Sequence, residues 1–181
     1  TDQFPRNIWR GQAAAFAFDV LALRWAKEVI ERGLDLDARP IERVFLYLPH
    51  VFYVAAHGLE HFDLSMQAQY QLTQRFTAEF SIRAYLERYP DETLARLREW
   101  TADPNEHVRR LVSEGTRSRL PWAARLPMFQ SDPHPVVELL ELLKDDPSGY
   151  VRRSVANNLN DIAKDNPDVT IGVAKDWYSD D

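Results

Sequence analysis

The chain is predicted to fold as an all-α solenoid of HEAT-like two-helix repeats, a curved superhelix with a concave groove. Three observations predict this. Apolar residues recur at three- and four-residue spacing over long stretches, while the strict alternation of a half-buried strand is scarce. Glycine and proline fall mainly between those stretches, at Gly33, Gly58, Pro90, Pro133 and Pro167, as helix breakers do. Finally, the sequence overlaps itself when shifted by 43 residues.

The periodic stretches place helices at roughly Gln12 to Glu31, Pro40 to Ala56, Ser65 to Glu87 in one or two pieces, Asp91 to Thr101, Pro104 to Ser118, Pro135 to Lys144, Pro147 to Lys164 and Val169 to Tyr178. The 43-residue shift lays Asp103-Pro104-Asn105-Glu106-His107-Val108-Arg109-Arg110-Leu111-Val112 over Asp146-Pro147-Ser148-Gly149-Tyr150-Val151-Arg152-Arg153-Ser154-Val155. The same register carries backwards, with Pro90, Leu94, Leu97 and Trp100 over Pro133, Val137, Leu140 and Leu143. Each unit is thus two helices, with an Asp expected to cap the second and a Pro in its first turn, where the missing N–H costs nothing. A period of this length is the mark of stacked helix pairs. One domain over residues 1–181 is expected, with clear repeats at 90–132 and 133–166 and an incomplete one at 167–181. There Pro167, Ile171, Ala174 and Trp177 repeat the first helix and Ser179-Asp180-Asp181 end the sequence, so the chain reads as truncated at its C-terminus.

At 181 residues the chain can bury a sizeable core unaided. It has no cysteine, which excludes disulfide frameworks, thiolate metal sites and cysteine nucleophiles, and fits a reducing cytoplasm. No secretory leader is visible, and the apolar run from Val44 to Ala56 is interrupted by Pro49 and His50, too short and too broken to span a membrane. His57 and His61 have the spacing of a helix-borne metal pair, but Gly58 and Leu59 stand where HExxH has its acid, and no third ligand follows, so no metal is expected. The six glycines are scattered singly, which leaves no phosphate-cradling loop. Trp9, Trp25, Trp100 and Trp177 read as helix-packing aromatics.

A formal net charge of −6 argues against a nucleic-acid partner until its distribution is considered. From Glu87 to Glu106, Arg88, Arg96 and Arg98 face six anions, whereas from His107 to Arg125 five arginines (Arg109, Arg110, Arg117, Arg119, Arg125) face Glu114 alone. Second helices are therefore basic, and a basic stripe is hidden in an acidic total. At 100° per residue, Val108, Leu111 and Val112 mark the core side of one second helix, with Arg110, Glu114 and Arg117 opposite. In the next, Val151, Val155, Leu159 and Ile162 mark the core, and Arg153, Asn157, Asn160 and Asp161 are expected to face away. Stacking would merge the two stripes into one polar groove of arginines, amides and carboxylates. Trp122 follows at once in a Leu120-Pro121-Trp122 turn, where no helix core asks for a large aromatic.

Three segments make the chain recognisable: Leu72-Thr73-Gln74-Arg75-Phe76-Thr77-Ala78-Glu79-Phe80; Ser113-Glu114-Gly115-Thr116-Arg117 with Arg119-Leu120-Pro121-Trp122-Ala123; and Val151-Arg152-Arg153-Ser154-Val155-Ala156-Asn157-Asn158-Leu159-Asn160-Asp161-Ile162. They resemble the AlkC family of alkylpurine DNA glycosylases, closely from about Gln67 to Asp168 and more loosely from Pro40. The resemblance implies a HEAT-like solenoid that holds duplex DNA and cleaves the N-glycosidic bond of cationic N3-alkylated bases of the 3-methyladenine class, without metal or cofactor. By similarity Glu79, Glu114 and Asp161 match the family's catalytic carboxylates, with Trp122 and Arg110 beside them at the substrate. Asn157 is added from the polar stripe as a substrate-binding candidate, and Arg117, Arg119, Arg152 and Arg153 as phosphate contacts. A monomer acting on alkylated duplex DNA in the cytoplasm, on the nucleoid when bound, is expected. The residue types suit the chemistry: an alkylated purine is already a cationic leaving group, so the developing sugar cation needs a fixed carboxylate more than the base needs an acid. Two rivals are a non-catalytic helical-repeat scaffold for DNA or protein, and a related fold that reads DNA shape without cleavage. Carboxylates inside a basic groove separate the glycosylase from a phosphate-binding scaffold, because a phosphate binder loses affinity to them.

Overall fold

Apolar residues at helical spacing do fold as helices through the part of the chain that the computed structural model describes, residues 40–179; the expected helix at 12–31, with Trp9 and Trp25, lies outside those residues. The helices are α1 (Pro40–His57), α2 (Phe62–Arg75), α3 (Ser81–Arg88), α4 (Pro90–Trp100), α5 (Glu106–Gly115), α6 (Pro127–Ser131), α7 (His134–Glu141), α8 (Gly149–Asp165) and α9 (Pro167–Ser179), and no strand occurs among the described residues. None of these helices is long and apolar enough to cross a membrane. His57 at the end of α1 stacks on Tyr53, ring centroids 4.8 Å apart.

Equivalent helices of the two repeats pack on one another: α4 on α7 and, most extensively, α5 on α8, with α2 against the other side of α5. The residues assigned to the core from periodicity are buried there except Leu159, which is partly buried against it. Val108, Leu111 and Val112 of α5 and Val151, Val155 and Ile162 of α8 are buried with Leu97, Leu139 and Leu140 of the first-helix layer. Each such side chain contributes about 1.5–3 kcal/mol by leaving water.

One local feature decides an expectation left open, and a second departs from expectation. The stretch from Ser65 to Glu87 is two helices, the first ending at Arg75, and in the break the Thr77 hydroxyl accepts from the Glu79 amide at 3.3 Å and donates to the Glu79 carboxylate at 3.1 Å. A side chain that bonds the local backbone competes with helix, and here it makes a corner that carries Glu79. Pro127–Ser131, in a segment read as loop, forms one turn of helix that buries Phe129.

Asp103 and Asp146 do not cap α5 and α8. Their carboxylates accept from the amides of Asn105 and Ser148, both at 2.8 Å, and it is Asn105 and Ser148 that cap, accepting from His107 N at 2.9 Å and Tyr150 N at 3.2 Å. Pro104 and Pro147 precede the caps, and the Asp-Pro pair is a rigid lead-in. The first arginine of each Arg-Arg pair folds back on it: Arg109 donates to the Asp103 carbonyl at 2.8 Å, and Arg152 to the Asp146 carbonyl. Arg109 also grips the buried Asp146 carboxylate with two donors at 2.6 and 3.0 Å, clamping one repeat to the next. The second arginines, Arg110 and Arg153, are left for other work.

Candidate active site

Arg110 and Glu114 stand one turn apart on α5, Arg117 on the turn that follows, and Asp161 on α8. Packing joins them. Arg110 Nη1 donates to Glu79 Oε2 at 2.6 Å and its Nη2 lies 3.4 Å from Glu114 Oε1; Arg117 Nη1 donates to the same Glu114 oxygen at 2.7 Å and its Nε to Asp161 Oδ2 at 2.7 Å. Lys164 Nζ, 2.9 Å from Asp161 Oδ1, ends the row. Three carboxylates from three segments thus alternate with three cations. Ser154 donates to Glu114 Oε2 at 2.7 Å, and Asn158 Nδ2 donates to the Ser113 carbonyl at 2.7 Å, so α8 locks the end of α5.

The carboxylates are removed from water: Glu114 is 6% exposed and Asp161 1%. This corrects the placement of Asp161 on the solvent side of its helix. A single helix's apolar residues report only the face they cover themselves. α8 has a second covered face, Ser154, Asn158 and Asp161 at i, i+4 and i+7, which is polar in sequence and buried because α5 lies over it. Burial of the Arg117 guanidinium works against its charge, but hydrogen bonds to Asp161 and Glu114 outweigh that and push its pKa above the ordinary value.

Of the remaining candidates, Trp122 stands in a left-handed backbone conformation, φ 64°, with its side chain 98% exposed. It shares with Glu79 the lining of a cleft of about 660 Å³ whose walls include Phe52, Phe76 and Phe80. Arg153 and Asn157 are exposed on α8 and stand outside the ion-pair row; Arg153 has no ion-pair partner among the described residues. Arg152 is exposed but spends one donor on the Asp146 carbonyl. Arg119 is engaged by Asp165, through Nε at 2.8 Å and Nη2, and the guanidinium holds that carboxyl down at about 2.

Sequence reasoning missed Ser154 and Lys164, which complete the row, and Tyr150, whose ring lies under the Arg110 guanidinium at 5.3 Å. Tyr150 had a legible signal: it shares the i, i+3, i+7 stripe with Arg153 and Asn157. Lys164 had one too, its i, i+3 spacing from Asp161; Ser154 had none, since a serine on a helix carries no mark of a partner 40 residues away.

Residues 72–172, which contain every member of this cluster and Trp122, match the family model described as DNA alkylation repair enzyme. The chain belongs to the DNA alkylation repair enzyme family. Residues 1–110 also match the model of a family of bacterial proteins of unknown function, so the two matches overlap from 72 to 110. The repair-family chain is 48% identical over 126 residues to the uncharacterized protein YhaZ of Bacillus subtilis (strain 168), a match that covers 70% of the chain and 35% of that relative. It is similar in structure to the alkylpurine DNA glycosylase AlkC of Pseudomonas fluorescens, solved bound to DNA containing an abasic site analog: TM-score 0.69 and 41% identity over 83% of the chain and 45% of AlkC. The likeness to AlkC, a helical-repeat protein, agrees with the all-helical architecture and the stacked pairs seen here. The chain spans less than half the length of either relative.

Proposed function

We propose that the ion-pair row and the Trp122 cleft form the active site of a DNA glycosylase that removes cationic N3-alkylated bases of the 3-methyladenine class from duplex DNA by hydrolysing the N-glycosidic bond. The observation that carries this reading is the connected row Glu79, Arg110, Glu114, Arg117, Asp161: three carboxylates converge from segments far apart in sequence, next to an exposed indole. A phosphate-binding scaffold gains nothing from such charges.

In the proposed reaction the C1′–N bond breaks with its electron pair leaving on the base, which departs neutral because it began as a cation. Positive charge develops on the sugar. A carboxylate held rigidly in a water-poor site stabilises that charge without reorganising at the moment of reaction, which is the role assigned to Asp161, fixed from one side by Arg117. Water then adds to C1′ and its proton passes to a carboxylate, for which Glu79, at the cleft, is best placed. The Trp122 face offers the alkylated base a cation–π contact of about 0.5–2 kcal/mol. Discrimination rests on charge, since a neutral base presents the site with no cation. Arg153, exposed and without an ion-pair partner among the described residues, meets phosphate; Arg117 and Arg119, engaged by carboxylates, orient the site.

The test is release of 3-methyladenine from methylated duplex by the purified chain. Release above the spontaneous rate, with no release of unmodified adenine, supports the reading; release equal to the spontaneous rate overturns it.

A further inference from the structure

α3 sends one arginine inward. Arg83 is 5% exposed, yet its guanidinium bonds no carboxylate among the described residues; its donors go to three main-chain carbonyls of one segment, Gly115 at 3.2 Å, Arg117 at 2.7 Å and Ala124. Burial pulls its pKa to about 10, so it stays charged at neutral pH. The Glu87 and Glu79 carboxylates favour the charge but do not offset the cost of its burial, and a hydrophobic side chain of similar volume would serve packing alone as well. The three acceptors explain the choice. Gly115 ends α5, where last-turn carbonyls have no partner within the helix and the helix dipole is negative. Arg117 belongs to the ion-pair row, and Ala124 follows Trp122 by two residues in the same loop. Only a planar fork with five N–H donors can serve acceptors at three such separated points. The fit at that end of α5 is close: a Cβ on Gly115 would come within 2.6 Å of Ile82 Cγ2, next to Arg83 on α3. Arg83 and Trp122 both line the 660 Å³ cleft.

We infer that Arg83 is a positioning residue: it anchors the 115–124 segment to α3 and so holds the Trp122 ring and the Arg117 main chain in register with Glu79. Its consequence for catalysis rests on the glycosylase reading above. Its consequence for the loop does not. Within that loop Ala123 N donates to the Leu120 carbonyl at 3.2 Å and Leu126 N to the Ser118 carbonyl at 3.1 Å, and these two amides report whether the loop is held.

The experiment is amide hydrogen exchange on the whole chain, comparing it with Arg83→Met. Exchange at Ala123 and Leu126 is expected to quicken at least about 10-fold while α7 and α8 keep their protection. Unchanged exchange in the loop overturns the inference, and so does an equal acceleration everywhere, which would make Arg83 a general stabiliser. Should Arg83→Met not fold, Arg83→Lys, which keeps the charge but has one nitrogen where Arg83 uses two, is judged by the same criteria. In excision assays Arg83→Met is expected to lower the saturating single-turnover rate about 10-fold, and Arg83→Met combined with Trp122→Ala to lose no more than Trp122→Ala alone. Full additivity of the two losses overturns the link through Trp122. If the unmodified chain releases no 3-methyladenine, that result falls on the glycosylase reading, and the exchange data still decide whether Arg83 holds the loop.

Discussion

Arg117 Nε donates to Asp161 Oδ2 at 2.7 Å, across 44 residues and from one repeat to the next, while the same guanidinium holds Glu114 through Nη1. One side chain therefore fixes two of the three carboxylates and makes their spacing a property of repeat stacking.

Asp161→Asn keeps the shape and removes the charge. Single-turnover excision of 3-methyladenine is expected to fall about 100-fold or more, equivalent to ~3 kcal/mol of lost electrostatic stabilisation. Because Asp161 is buried against Arg117, stability should also drop, by about 1–3 kcal/mol in urea denaturation. Excision at the unmodified rate would remove Asp161 from the chemistry.

Trp122→Gly separates activity from folding. The indole buries almost nothing, and its left-handed backbone costs a bulky residue about 1–3 kcal/mol that glycine does not incur. The variant should melt at or above the temperature of the native chain while losing excision activity. A lower melting temperature would show that the ring packs in solution.

Arg153→Ala should weaken binding to damaged and undamaged duplex alike and reduce the slope of log K against log salt by about 1, with no change in stability, since Arg153 is exposed and has no ion-pair partner among the described residues. Titrations at several salt concentrations measure this, and an unaltered slope would place Arg153 away from the phosphates.

The Arg119–Asp165 pair sets an acid-side dependence. Its hydrogen bonds take the Asp165 carboxyl from 3.8 down to about 2. A carboxyl depressed in the folded state contributes stability that is present above its unfolded value and is lost as pH falls through the folded one, so the loss runs from about pH 4 to about pH 2. Asp165→Asn should flatten the urea midpoint over that window and leave its steepness above pH 5 unchanged. An identical profile in the variant would mean the pair is not formed in solution.

The helices, their repeat and most of the core were legible in the sequence, because these depend on local periodicity: Val108, Leu111, Val151 and Ile162 cover one face of their own helix whatever lies beyond it. Its motifs also named Glu79, Glu114 and Asp161. Which polar residues are covered, and by whom, follows from packing alone. Asp161 is buried because α5 lies over a face of α8 that carries no apolar mark, and the two arginines of each pair part company because Arg109 and Arg152 find carbonyls in the preceding turn while Arg110 finds Glu79. Ion pairs between residues 31 to 46 apart are set by how repeats stack, and a helical wheel drawn from one helix holds no term for its neighbour.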